Sequence, residues 1–187
     1  MKKLVAYILA ALMIFSFAAC GSDKGGQTTE VKDALEILTK TWAEFADDEK
    51  FAVAGGDYEN SVMDGPGKFN FADTEALDAM VGIPAEAAAY IDDAANIMHM
   101  MNQNTFTAGA FHLSDAKNQQ AFADDTKEHI MAKQWMCGFP DTLIIVSVGD
   151  EYVVTAYGNA EIIENFKTKL TTVYASAEVM YEESLAF

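Results

Sequence analysis

Arginine is absent. All twelve basic residues of this 187-residue chain are lysines, so the planar bidentate fork that reads phosphate and guanine is missing. Against 29 acidic residues they leave a net charge of −17, which repels nucleic acid and anionic lipid headgroups alike. No nucleic-acid partner is expected. Prolines are also few, at Pro66, Pro84 and Pro140, and each marks a break between elements. Compact catalytic motifs are missing as well: there is no G-x-S-x-G elbow, H-E-x-x-H helix, P-loop, C-x-x-C or G-x-G-x-x-G. Asp57, Glu59 and Ser61 alternate as calcium-loop ligands would. Val62 occupies the obligatory glycine position and Lys68 the bidentate glutamate position, which excludes an EF-hand.

What the chain does carry is a distinctive start. Lys2 and Lys3 precede an apolar run from Leu4 to Phe17, which ends in Phe17-Ala18-Ala19-Cys20. This pattern resembles a bacterial lipoprotein export signal, and the run is shorter than the ~20 residues that span a bilayer. The resemblance implies cleavage before Cys20, a diacylglyceryl group on its sulfur, and a protein anchored by lipid to the outer face of the cell membrane. Loss of Lys2 and Lys3 with the signal takes the net charge from −17 to −19. With Cys20 lipidated, Cys137 is left alone and no intramolecular disulfide is available.

Residues 1–19 are thus read as signal and 20–29 (CGSDKGGQTT) as a glycine-rich lipidated tether. Residues 30–187 are read as one domain. Val31, Leu35, Leu38, Trp42 and Phe45 recur every three or four positions and predict a helix over Glu30–Ala46. Residues 51–71 are broken by five Gly and Pro residues. They predict loop with one short strand around Phe51–Ala54. Asp73 is a plausible N-cap for a helix over Thr74–Val81 with Gly82 as its stop, and Pro84 opens a short helix to Tyr90. Asn102-Gln103-Asn104 predicts a turn between strands Ala94–Met101 and Thr105–Leu113. Ser114 can cap a long helix over Asp115–Met136, ended by Gly138. Gly149-Asp150 lies between LIIVSV and YVVTAY and predicts a second hairpin over Thr142–Tyr157, whose all-apolar first strand should be covered on both sides. Ile163, Phe166, Leu170, Val173, Ala177 and Met180 predict one long final helix after Asn159.

This order of elements predicts an α+β domain: an antiparallel four-stranded sheet, made of two hairpins, with helices mainly on one face. From Asp73 onward, FHLSDA leading into a helix, Phe139-Pro140, LIIVSV and GDEYVV are similar to a family of uncharacterised small lipoproteins of anaerobic Gram-positive bacteria. The resemblance implies the envelope location and the fold, and transfers no active residues. It does not cover Val31–Phe71.

Candidate chemistry is sparse. Met98–Met101 is expected to act as adaptable core filler. The alternative is a Cu(I) site, since thioether and imidazole are soft or borderline ligands, with His99, Met101 and His112 as the candidates. His129 is expected at the edge of the core and Cys137 as a buried thiol at a helix C-terminus. The pairs Asp92-Asp93, Asp124-Asp125 and Glu182-Glu183 are expected on solvated faces. No cofactor is implied. The expected function is a non-enzymatic, membrane-tethered domain binding an envelope protein or a small ligand. A copper-handling lipoprotein is the alternative, and a hydrolase assembled from scattered residues is a third reading.

Overall fold

A computed structural model describes residues 31–185 of the chain. The signal, the tether and Cys20 lie outside the described residues. The fold is α+β, as the order of elements predicts, but its antiparallel sheet has eight strands rather than four. These are β1 (Val53–Gly55), β2 (Val62–Met63), β3 (Gly67–Lys68), β4 (Ile91–His99), β5 (Phe106–Leu113), β6 (Thr142–Val148), β7 (Tyr152–Gly158) and β8 (Ala177–Ser184). They run β2-β1-β4-β5-β7-β6-β8, with β3 also paired to β4. The two expected hairpins, β4–β5 and β6–β7, form the middle of the sheet.

Among the described residues four helices flank it: α1 (Ala34–Ala43), α2 (Thr74–Ala76, continued by a π-turn over Leu77–Val81), α3 (Gln119–Ala132) and α4 (Ala160–Val173). A 3-10 turn over Ala85–Tyr90 leads into β4. Asp33, not Glu30, begins α1, because its carboxylate accepts the Glu36 N–H at 2.8 Å. The predicted caps at Asp73 and Asn159 are in place, and Gly82 ends the π-turn in the left-handed region.

The helices cover both faces of the sheet, not mainly one. Ile37, Leu38 and Trp42 of α1 and Ile163, Phe166 and Leu170 of α4 bury one face with Phe106, Ile144 and Val154. Leu77, Val81 and Ile83, with Phe122 and Ile130 of α3, bury the other with Phe111, Ile145 and Val153. The reason is in the central strands, where every residue of β7 is buried. A strand apolar on both sides needs two helical layers. On the α1/α4 face an aromatic chain runs from Trp42 through Phe51 and Phe106 to Phe166, with ring centroids 5.3 to 5.5 Å apart.

Two segments depart from expectation. The final helix stops at Val173, and Ala177–Ser184 turns back as strand β8 along β6. Thr171, Thr172 and Val173 are β-branched and weaken the helix. Tyr174, buried to 1%, then leaves helical geometry. The three-and-four spacing of Ala177 and Met180 continues the pattern by coincidence. The outer edge of β8 carries Glu178, Glu182 and Glu183, charges that discourage further strand pairing.

In 51–71 there are three short strands rather than one. Glycine permits their close approach: a Cβ on Gly55 would lie 2.2 Å from the Gly67 nitrogen. Asn96 of β4, fully buried, accepts the Gly56 N–H at 2.6 Å. Asp57 gathers the intervening loop. Its Oδ1 accepts the N–H groups of Glu59 and Asn60, and its Oδ2 accepts that of Asn70.

Candidate functional site

Two loops meet at one end of the sheet. The first is the β4–β5 turn, residues 100–105. His99 begins it, with Nδ1 accepting the N–H groups of Met101 at 3.1 Å and Asn102 at 3.2 Å. The Asn102 carboxamide oxygen then accepts the Asn104 N–H, and Thr107 donates to the Gln103 carbonyl. The second loop, residues 133–141, joins α3 to β6. It exists because α3 ends at Ala132, four residues short of the predicted Met136, where Lys133 turns extended.

The asparagines of the first loop clamp the second. Asn104 donates through Nδ2 to the carbonyls of Met136 at 2.9 Å and Gly138 at 3.0 Å. Asn102 donates to the carbonyl of Cys137 at 3.3 Å. Three successive carbonyls are thereby held, and Cys137 sits between them at φ 64°, a conformation uncommon for a residue with a Cβ. Its thiol is exposed, not buried at a helix end as the sequence suggests.

Between the loops lies a cavity of about 410 Å³. Met101, Met136 and Cys137 line it beside Trp135, whose ring packs on Tyr157 with centroids 5.2 Å apart. Burial pushes the Tyr157 phenol up to about 12, despite a hydrogen bond with Thr107. It therefore stands as a neutral wall. Met101 is 80% exposed, Met136 81% and Phe139 63%. Met100 and Met101 are accordingly not core filler. Met101 and Met136 face water at this cavity and Phe139 at the adjoining hollow beside Asn102 and Asn104; large apolar side chains exposed together are what a binding surface displays.

The remaining candidate residues are dispersed. His112 lies at the far end of the β4–β5 hairpin, paired in register with Asp93, whereas His99 follows Met98 at the turn. Six residues of strand, about 20 Å, separate these positions. One ion cannot take ligands from both histidines. His99 stacks on Phe51 with centroids 5.4 Å apart, on the α1/α4 face. His112 has Nδ1 against Asp92 and Nε2 at 3.7 Å from Glu151. Among the described residues no group of three or more His, Cys, Asp or Glu could hold a metal.

His129 of α3 bonds Asp78 of the π-turn through Nε2 at 2.8 Å. Lys133 reaches both the carbonyl and the carboxylate of Asp78, at 2.9 and 3.3 Å. Burial would raise the Asp78 carboxyl, but the His129 hydrogen bond and the charge of Lys133 outweigh it and hold it below the usual range. This triplet fastens α3 to the π-turn next to the cavity. Asp124 on α3 is engaged by Tyr181 of β8 and by Gln120, and Lys127 stands 4.1 Å over the Tyr181 ring. These contacts dock β8 on α3.

Sequence reasoning missed Trp135, Met136 and the two asparagine clamps as site residues. Asn102-Gln103-Asn104 was legible only as a turn. Trp135-Met136-Cys137 read as the end of a helix, although three bulky apolar residues ahead of Gly138 also suit an exposed loop. Comparisons with protein-family models, curated proteins and solved structures find no match.

Proposed function

We propose that this protein is a lipid-anchored, non-enzymatic binding domain of the cell envelope, and that the cavity between the 100–105 and 133–141 loops is its ligand site. The observation that carries the reading is the pairing of that cavity with exposed Met101, Met136 and Phe139 on loops fixed by Asn102 and Asn104. The anchor end supports it. Helix α1 starts where the Ala34 N–H meets Asp93 at 2.8 Å, at the end of β4 away from the cavity. A tether attached there leaves the cavity facing away from the lipid.

Binding is tested with an apolar fluorescent dye. In a Trp42→Phe background Trp135 is the only tryptophan, and energy transfer from it should report one bound dye per chain. Met136→Glu, at an exposed position, should weaken dye binding about tenfold, a cost near 1.4 kcal/mol. Dye binding indifferent to Met136→Glu would refute the cavity as the site. Anchoring is tested separately: Cys20→Ala should abolish labelling by radioactive palmitate, and unchanged labelling would refute lipidation at Cys20.

A further inference from the structure

We propose that Met101, Met136 and Cys137 form a site for a soft monovalent metal ion, Cu(I), in the cavity between the two loops. The inference rests on the reading of that cavity as the ligand site and specifies its ligand.

Each of the three residues contributes a sulfur and lines the same cavity. The loops that carry them touch: the Asn102 amide, next to Met101, lies 3.3 Å from the carbonyl of Cys137 itself. Methionine has three rotatable side-chain bonds, so backbones this close let its thioether swing onto a common point with the Cys137 thiolate. Packing does not account for Met101 and Met136, because both are at least 80% exposed.

The other lining residues decide which ion. No Asp, Glu or His lines this cavity; its polar members are asparagine, glutamine, lysine and tyrosine. Hard dications such as Ca²⁺ and Mg²⁺ require oxygen anions, and structural Zn²⁺ requires several Cys or His ligands. Two thioethers and one thiolate are the donor set that selects Cu(I). The held φ of Cys137 serves this directly, because the clamp on carbonyls 136–138 fixes the backbone, and with it the Cα–Cβ direction of Cys137, before any ion arrives.

Binding forms three Cu–S coordinate bonds and breaks the Cys137 S–H bond, whose proton leaves to solvent. No electron is transferred, and copper stays Cu(I) throughout.

The test is an anaerobic competition titration of Cu(I) against a chromogenic chelator, using the full chain in detergent micelles. All samples carry Cys20→Ala, so that Cys137 is the only thiol. The expected result is one Cu(I) per chain, with sulfur-only ligation by X-ray absorption. Cys137→Ser and Cys137→Gly should each weaken binding roughly 100-fold, and Met101→Leu with Met136→Leu about tenfold. Glycine is native to the left-handed region, so Cys137→Gly separates loss of the thiol from loss of the loop. Met131→Leu, at an exposed methionine outside the cavity, should change nothing, and His99→Ala, which loosens the Met101 loop, should leave the ligation sulfur-only. Cu(I) affinity unchanged in either Cys137 variant or in the double leucine variant, or nitrogen ligation lost with His99, would overturn the proposal. Retained dye binding with failed Cu(I) binding would overturn the metal assignment alone, whereas failed dye binding with intact Cu(I) binding would overturn only the apolar-ligand aspect of the broader reading.

Discussion

The Asn104 side-chain amide holds the Met136 carbonyl at 2.9 Å, across 32 positions of sequence. The same nitrogen also reaches Gly138, at 3.0 Å. Asn104 is 8% exposed, so its own side chain has little water to turn to if the carbonyls move away. Asn104→Asp replaces the donor with a carboxylate that repels both. It should cost about 1–3 kcal/mol of stability and speed hydrogen exchange in residues 133–141 before the rest of the fold. Denaturation and exchange measurements check this, and unaltered exchange in that loop would count against the clamp.

A pH dependence follows from Asp57. Burial would raise its carboxyl, but the N–H groups of Asn60, Glu59 and Asn70 outweigh it and hold it below the usual range. A carboxyl lower in the folded than in the unfolded state binds fewer protons when folded. Its contribution is therefore complete above the unfolded value of about 4 and is lost as pH falls through the lower folded value. Asp57→Asn should cost roughly 1–3 kcal/mol at neutral pH, since its NH2 group would face an N–H donor where a carboxylate oxygen accepted one. The difference from wild type, read from urea midpoints, should shrink as pH falls below about 4. A difference constant from pH 7 to pH 3 would contradict this role.

Leu170 on α4 is fully buried against the sheet. Leu170→Ala should destabilise the domain by about 2–5 kcal/mol, through lost contacts and the cavity left behind. The thermal or urea midpoint reads the loss directly. A midpoint equal to wild type would mean that α4 adds little to the core.

The middle of the sheet was legible because its signals are local. Gly149-Asp150 sets the β6–β7 turn, and the apolar run Leu143–Val146 calls for cover on both sides. That same run requires the helices on both faces that the fold has. The rim of the sheet was not legible. β1 to β3 are two or three residues long and depend on glycine contacts between Gly55 and Gly67, which no period records. β8 hides inside an apolar spacing that mimics a helix. The candidate site is harder still, because the loops that carry Met101 and Met136 are joined only by the Asn102 and Asn104 side-chain amides, which no sequence pattern records. Of the metal candidates read from sequence, Met101 lies in the cavity, while His99 is turned to the Phe51 stack and His112 lies at the other end of the hairpin.

The central claim is that the domain is displayed outside the cell with its cavity loops open to solvent, and the Cys137 thiol tests it most directly. Intact cells producing the protein are treated with a membrane-impermeant maleimide in the presence of a Cu(I) chelator, and the protein is then isolated and weighed by mass spectrometry. Under the proposal that lipid occupies the sulfur of Cys20, the account predicts a single label, at Cys137, that disappears in Cys137→Ser. Labelling only after the cells are lysed would contradict it.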